Sequence, residues 1–99
     1  MTRVRWTPQA RADLREIHKY ISRDSAQYAD LVIADLLASV RRLHDFPLSG
    51  RVVPERGEPM LREVIWHNYR VVYRHLEAAD EVHVLLVFRA ERLFPLGGA

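Results

Sequence analysis

The segment between residues 61 and 92 constrains the fold most strongly, because it contains three consecutive runs of β-forming residues. These runs are rich in valine, tyrosine and isoleucine, which fit a pleated and half-buried surface. A short break at His67-Asn68 and an acidic turn at residues 77–80 separate the runs, and both are typical of hairpin connections. The segment therefore predicts three neighbouring strands. The runs cover residues 61–66, 69–76 and 82–92.

The N-terminal half predicts one short strand followed by two helices. Alternating side chains over residues 2–6 indicate the strand. Thr7 and Pro8 are suited to the N-cap and the first position of a helix, and apolar residues then recur every three or four positions. A second apolar stripe follows residues 24–25 and extends to about His44. Because the turn between the helices is short, we expect an antiparallel helical hairpin.

The element order β-α-α-β-β-β predicts an α+β fold, in which the helical hairpin packs on one face of a small, mainly antiparallel sheet. We expect the opposite face of the sheet to be free. Residues 46–60 contain three prolines and two glycines, so we predict a long loop without regular structure there. The chain is expected to form one domain over residues 1–99, with a flexible tail at residues 93–99.

The composition of the chain restricts which metal or cofactor sites it can form and indicates its cellular compartment. The chain has no cysteine, which excludes disulfides and thiolate metal sites, and its five histidines lack metal-ligand spacing. It contains no glycine-rich phosphate loop and no nucleophile elbow. We therefore expect no metal and no cofactor. No secretory signal or long apolar run is present, so we expect a cytoplasmic protein that does not associate with membranes.

Arginines are the main candidates for a functional site, because the chain has only one lysine, Lys19, among its fifteen basic residues. Guanidinium groups bind carboxylates and phosphates in a bidentate manner. One interpretation is a surface that binds RNA phosphates or partner carboxylates, with Arg62 beside Arg70 and Arg74. The other is a set of solvated ion pairs with nearby glutamates. The candidate residues are Arg62, Glu63, Arg70, Arg74, Arg89 and Arg92 in the strand region, and Arg11 and Arg15 on the first helix.

A metal-free ribonuclease mechanism is one chemistry that such residues allow. It requires a base for the ribose 2′-hydroxyl, an acid for the leaving oxygen and arginines that stabilise the phosphorane. Arg70 with Arg89 or Arg92 could supply the arginines, but no tyrosine, histidine or lysine follows Arg92. The candidate acids and bases are Glu58, Glu63, His67 and His83.

Several motifs together resemble the RelE/ParE superfamily, the toxins of bacterial type II toxin–antitoxin systems. The resemblance covers residues 3 to about 92, and the run Tyr69-Arg70-x-x-Tyr73-Arg74 is its most specific part. It implies a toxin that a cognate antitoxin neutralises by wrapping it with an extended, partly helical segment, in an assembly such as a heterotetramer. The other matching motifs are Trp6-Thr7-Pro8-Gln9-Ala10, the loop from Pro47 to Glu55, and Leu61-Arg62-Glu63-Val64.

The resemblance leaves two activities to distinguish. RelE-like toxins cleave mRNA on the ribosome with a set of basic residues. Arg70 matches one member of that set. At the positions where RelE-like toxins have further basic side chains, this sequence has Leu61 and Glu63. The C-terminal tyrosine of the nucleases is also absent. ParE-like toxins inhibit DNA gyrase without such a nuclease set, and we predict this activity. The alternatives are a ribosome-dependent mRNA endonuclease and a non-toxic member that still binds its antitoxin.

Overall fold

The computed structural model describes residues 1–95, and it contains two α-helices and a five-stranded sheet. Short 3-10 turns at Arg41–His44 and Glu77–Ala79 complete the elements. The elements are β1 (Arg3–Trp6), α1 (Pro8–Ser22), α2 (Ala26–Ser39), β2 (Arg51–Val52), β3 (Leu61–Trp66), β4 (Tyr69–Leu76) and β5 (Glu81–Arg89). The predicted α+β class and the six predicted elements are confirmed. The prediction of an unbroken loop over residues 46–60 is wrong at β2, which pairs with β3.

The two helices begin at side-chain caps, as the sequence indicates. Thr7 Oγ1 accepts a hydrogen bond from Ala10 N at 3.2 Å, and Ser25 Oγ accepts one from Tyr28 N at 3.0 Å. These bonds satisfy amide groups that have no partner inside a helix. The second helix ends earlier than predicted, because the chain tightens into the 3-10 turn that ends at His44.

The sheet order is β1-β5-β4-β3-β2. The pairs among β2, β3, β4 and β5 are antiparallel, whereas β1 runs parallel to β5. The N-terminal strand therefore lies at one edge of the sheet, next to the last strand in the chain. The short β2 forms the other edge.

The main core lies between the helical hairpin and one face of the sheet. Leu14, Val32 and Leu36 from the helices pack against strand residues such as Val71 and Val82. Burial of each such side chain contributes about 1.5–3 kcal/mol relative to exposure. The core therefore explains why the helices lie side by side on this face. No helix among residues 1–95 is both long and apolar enough to cross a membrane.

The opposite face of the sheet is not free, so that prediction is wrong. It carries a second buried cluster formed by Val53, Leu61, Val72, Leu86 and Phe88. The loop after β2 supplies Val53, and the segment after β5 supplies Phe94, which packs against this cluster. Apolar strand residues on that face need such a cover to leave water. Phe94, which the sequence assigned to a flexible tail, therefore packs against the sheet. Residues 96–99 of that predicted tail lie outside the described part of the chain.

Candidate functional site

The second face of the sheet brings together arginines and glutamates around the buried cluster. Paired strand residues share a face, and the β3–β4 register pairs Glu63 with Val72 and Ile65 with Arg70. The same register pairs Leu61 with Arg74. The predicted sharing of one face by Arg70 and Arg74 is therefore confirmed. We call the four linked residues Arg51, Glu55, Glu63 and Arg70 the central network.

Arg70 lies at the middle of the central network and is 6% exposed. Its two terminal nitrogens donate to the two carboxylate oxygens of Glu55 at 2.7 and 2.6 Å. Its Nε donates to Glu63 Oε1 at 2.6 Å. This is a bidentate pair with one glutamate and a third charge-assisted bond with another, the strongest class of side-chain hydrogen bond. Arg70 is thus occupied by two carboxylates of its own chain.

Glu63 is the least exposed charged residue of the network, since its side chain has no accessible surface. Its second oxygen, Oε2, accepts from Arg51 Nε at 2.5 Å, where β2 pairs with β3. A buried carboxylate without partners would be strongly destabilising. Arg51 and Arg70 therefore supply one partner to each carboxylate oxygen of Glu63 within the sheet face.

Two aromatic rings enclose the guanidinium of Arg70. Its central carbon lies 5.1 Å from the ring centre of Phe88 and 5.4 Å from that of Phe94. The two rings also contact each other edge to face, with centres 5.9 Å apart. Cation–π contacts of this kind gain strength when water is excluded. The rings therefore fix the position of Arg70 and shield its ion pairs.

The charged residues of the central network shift one another's pKa values and balance one another's charges. The hydrogen bond from Arg70 lowers the pKa of Glu55 from 4.5 to about 2. The same bond, followed by the contact with Glu63, raises the pKa of Arg70. Two arginines and two glutamates carry no net charge. Within the network, each guanidinium is thus paired with a carboxylate of the same chain.

Arg74 and Arg62 have different surroundings from Arg70. Arg74 lies at the rim of the same face, where it donates to Glu58 at 3.1 Å, and both side chains are 39% exposed. Arg62 pairs with Tyr73 and points to the helix-bearing face, so its predicted position beside Arg70 is wrong. The strand alternation places Arg62 and Glu63 on opposite faces.

Arg62 instead holds the long loop in place. Its Nε donates to the carbonyl oxygen of Pro59 at 2.8 Å, and its terminal nitrogen Nη1 donates to those of Leu48 and Gly50 at 3.2 and 3.1 Å. These three carbonyls come from both ends of the loop. Arg62 therefore acts as a structural clamp in this conformation.

Arg89 and Arg92 lie at a different part of the surface, beside α1. Both line a cavity of about 340 Å³ that also contacts Asp13, Tyr20 and Tyr69. Arg89 forms an ion pair with Glu91 at 3.2 Å and lies 5.6 Å from the ring centre of Tyr20. Arg89 belongs to the helix side of the sheet, because it pairs with Tyr69 of the main core. The predicted gathering of arginines is therefore divided between two places.

An adjoining cavity extends the second place into an aromatic groove. This cavity of about 240 Å³ shares Tyr20, Tyr69 and Arg89 with the first. Trp66 lines it and lies 6.1 Å from the ring centre of Tyr69. We use the term aromatic groove for both cavities together. Burial raises the pKa of Tyr69, so its hydroxyl stays neutral in this groove.

Arg11 and Arg15 are exposed on α1, as predicted. Arg11 contributes to a third cavity at the start of α1, with Arg5 and His83. His18, the next basic residue on this helix, contacts Asp30 of α2 at 2.7 Å. Within residues 1–95, no cluster of three or more histidine or acidic residues has the geometry to hold a metal ion.

Comparisons with known proteins identify the family. Residues 4–94 match the family described as ParE toxin of type II toxin-antitoxin system, parDE. This chain belongs to the ParE toxin family. A protein of Sinorhizobium fredii (strain NBRC 101917 / NGR234) named "Putative toxin Y4kP" is 32% identical over 95 residues, which cover 94% of this chain and 93% of that protein.

Solved structures share the fold of this toxin. A chain of the chromosomal ParDE system of Pseudomonas aeruginosa superposes with a TM-score of 0.76 at 23% identity, covering 92% of this chain and 98% of that one. The RelBE2 toxin–antitoxin complex of Mycobacterium tuberculosis gives 0.65 at 24% identity, covering 91% and 93%. The isolated Escherichia coli RelE toxin gives 0.61 at 18% identity, covering 94% and 88%. These similarities establish the fold that the sequence resemblance implied.

Sequence reasoning missed three members of the buried arrangement in this toxin. Glu55 and Arg51 stood in the motif from Pro47 to Glu55, but nothing local marked them as partners of strand residues. Phe94 was assigned to a tail. The ion pair between Arg70 and Glu63 was among the expected pairs, yet it is buried rather than solvated. Glu63, an acidic residue in a strand made mostly of apolar residues, was the one signal of a buried partner.

Proposed function

We propose that this toxin binds and inhibits DNA gyrase in the cytoplasm and that a cognate antitoxin neutralises it. Membership of the ParE family supports the toxin–antitoxin context. We favour target binding over RNA cleavage because the central network around Arg70 is closed. Its guanidinium already donates three hydrogen bonds to Glu55 and Glu63.

The central network is poorly suited to phosphoryl chemistry. An arginine that stabilises a phosphorane must present donors to the reacting phosphate, in a site preorganised for that charge. Here the anionic oxygens of Glu55 and Glu63 occupy three of the five N–H donors of Arg70, one on each nitrogen, so a phosphate would meet two like charges first. Opening the network would leave Glu63 without one of its two partners in a buried position, which is costly.

Of the candidate proton-transfer residues, the two histidines lie apart from Arg70, and Glu63 is held by Arg70 and Arg51 within the central network. His83 contacts Glu81 at 2.9 Å and pairs with Arg74 rather than with Arg70. His67 packs against Trp66, with ring centres 4.2 Å apart, at the turn between β3 and β4. A general acid or base must come within hydrogen-bond reach of the reacting group. The arrangement therefore favours a toxin that binds its target without cutting it.

The aromatic groove is the surface that we propose for binding the target. Interfaces derive most of their affinity from a few tyrosine, tryptophan and arginine residues in desolvated pockets. Tyr20, Trp66, Arg89 and Arg92 provide this composition around two adjoining cavities. The exposed Tyr28, on α2, extends the groove at its outer end. Arg70 and Glu63 would then support the fold behind this surface.

An antitoxin partner is proposed from the same family context. The ParDE and RelBE structures that share this fold are toxin–antitoxin systems. By analogy we propose a complex with a cognate antitoxin, in an assembly such as a heterotetramer. The remaining predicted contacts, Arg11, Arg15 and Arg74, stay candidates for that partner because their side chains are accessible.

A supercoiling assay tests the proposed target. Purified toxin should block supercoiling of relaxed plasmid by DNA gyrase or trap cleaved DNA. Arg89→Gln should weaken this inhibition about five- to thirty-fold, the effect of losing about 1–2 kcal/mol at an interface. Arg41→Gln, which changes an exposed arginine outside the groove, is the matched control and should leave inhibition unchanged. Full inhibition by the Arg89 variant would contradict the proposed surface.

A further inference from the structure

The outer edge of β1 is an open strand edge. Arg3 N and Thr7 N donate to the carbonyl oxygens of Asp80 and Val84 at 3.1 Å each, so the odd-numbered residues of β1 point their backbone groups toward β5. In a parallel pair, alternate residues point in opposite directions. The amide and carbonyl groups of Val4 and Trp6 therefore point outward. Within residues 1–95, β1 pairs with β5 alone, and no other hydrogen-bond partner for these four groups is found.

On both sides of the open segment of β1, the outward-pointing backbone groups have hydrogen-bond partners. Beyond the end of β1, the edge of β5 faces α1, and Asp13 Oδ2 accepts a hydrogen bond from Val87 N at 2.9 Å. Before β1, Thr2 N donates to the carbonyl oxygen of His44 at 2.9 Å. Side chain and backbone thus cover the edge on both sides of Val4–Trp6. The open part is limited to this segment.

A basic cavity lies along the same segment. It has a volume of about 460 Å³. Val4 and Trp6, the two residues whose backbone groups point outward, both line it. Arg5, Arg11 and His83 supply the basic side chains of its wall. We call this combination of open backbone and cavity the β1 edge site. It combines hydrogen-bonding groups for a peptide backbone with positive charges for its side chains.

The positive charge of the β1 edge site is only partly compensated. Glu81 Oε2 accepts from both Arg3 and Arg5, at 2.8 and 3.0 Å, and Glu81 Oε1 contacts His83 at 2.9 Å. One carboxylate therefore serves two arginines, whose side chains remain 68% and 56% exposed. Among the ion pairs found within residues 1–95, none involves Arg11, whose side chain is exposed. The three arginines therefore outnumber the one carboxylate of Glu81, and the site keeps a net positive charge even with Glu81 ionised.

We propose that the β1 edge site binds an extended segment of a partner protein that carries carboxylates at alternate positions, as an added strand. Peptide backbone is the ligand that matches outward amides and carbonyls on one edge, and strand addition is a recurrent mode of recognition. Side chains at alternate positions of an added strand share one face, so they can reach Arg3 and Arg5 together. The antitoxin is the first candidate for this partner, and to that extent the inference rests on the proposed function.

A second copy of this chain fits the site less well. Pairing two β1 edges would bring the exposed Arg3 and Arg5 of both copies together across the new strand pair. Like charges on facing strands are destabilising. Charged side chains on a short edge strand also protect it against self-association. The charge therefore selects an acidic segment over another copy of the toxin.

Titration with a defined peptide tests the inference without the antitoxin or gyrase. The probe is a capped peptide of alternating glutamate and valine, about seven residues long, added to about 1 mM to ¹⁵N-labelled toxin. We expect shifts of the Val4 and Trp6 amide resonances and slower hydrogen exchange at both amides. Peptides with lysine in place of glutamate, or with N-methyl groups on alternate amides, are the matched controls and should not bind.

Two substitutions should change the peptide affinity in opposite directions. Arg11→Gln removes a cavity cation and should weaken binding about two- to five-fold, whereas Glu81→Gln frees Arg3 and Arg5 and should strengthen it by a similar factor. Lys19→Gln, on the exposed surface of the same helix and away from the cavity, should have no effect. Amide spectra of each variant verify that it is folded.

Three results would overturn the inference. They are unchanged Val4 and Trp6 amides at full peptide concentration, equal binding of the lysine peptide, and concentration-dependent pairing of toxin copies through the same two amides. None of these results bears on gyrase inhibition, which is measured separately. A toxin that inhibits gyrase but does not bind the acidic peptide would refute only the β1 edge site.

Discussion

Substitution of Glu63 by alanine should destabilise the toxin far more than substitution of any exposed glutamate. Glu63 has no accessible side-chain surface and accepts hydrogen bonds from Arg51 and Arg70 at 2.5 and 2.6 Å. Its removal leaves Arg70, whose side chain is only 7% exposed, with Glu55 as its remaining carboxylate partner within residues 1–95. Removing one member of a buried ion pair typically costs about 3–5 kcal/mol.

The exposed Arg74–Glu58 pair at the rim of the same face provides the comparison for the loss of stability. Glu58→Ala removes a partner of Arg74, but both of those side chains are 39% exposed, and exposed pairs contribute about 0–1 kcal/mol. A domain of this size has a free energy of unfolding of about 5–15 kcal/mol. The Glu63 variant should therefore lose a large fraction of its stability and unfold at a clearly lower urea concentration.

A double substitution separates the buried charge from packing. Replacing both Glu63 and Arg70 by apolar residues of similar volume, as in Glu63→Leu with Arg70→Met, removes the charges together. Such replacements are often neutral, so the double variant should be more stable than either single variant. Urea unfolding followed by circular dichroism gives all four free energies of the cycle. If Glu63→Ala costs no more than Glu58→Ala, the buried network does not stabilise the fold as described.

Three further predictions concern the loop, the pH response and the strand edge. Gly50→Ala should lower the free energy of unfolding by about 1–3 kcal/mol, because its Cβ would lie 2.6 Å from the Glu63 carbonyl oxygen; an unchanged urea midpoint would show that the loop can move away. Arg70 lowers the pKa of Glu55 to about 2, so Glu55 contributes stability above pH 4.5 that is lost as the pH falls toward 2. Glu55→Gln should therefore reduce the loss of stability between pH 4.5 and 2 in acid titrations, and an identical pH profile would refute the Glu55–Arg70 link. Asp13→Ala should cost about 1–3 kcal/mol by leaving Val87 N unpaired, whereas Arg15→Ala on the exposed surface of the same helix should change the unfolding midpoint little.

Local patterns in the sequence predicted the elements well, because each of their signals acts within a few residues. Thr7 and Ser25 cap helices through contacts three residues away. Alternation along one strand likewise placed Arg70 and Arg74 on one face correctly. The position of Arg62 was wrong because it depends on the register between β3 and β4, which pairs Arg74 with Leu61.

The central network could not be predicted from the sequence, because its contacts span the chain. Glu55 reaches Arg70 from the loop after β2, and Phe94 reaches the same guanidinium from beyond β5. Neither residue has a local pattern that specifies its partner. The short β2 also has no signal of its own among prolines and glycines; pairing with β3 defines it. Such contacts follow from the tertiary arrangement of the sheet.

Supercoiling by purified DNA gyrase in the presence of the toxin tests the central claim most directly, since that claim is a bound target rather than a cleaved RNA. The proposed function predicts that supercoiling is blocked or that cleaved DNA accumulates, and the closed network around Arg70 predicts that mRNA on translating ribosomes stays intact. Unimpaired supercoiling at a large excess of toxin, together with mRNA cuts within codons that Arg70→Ala abolishes, would contradict the account.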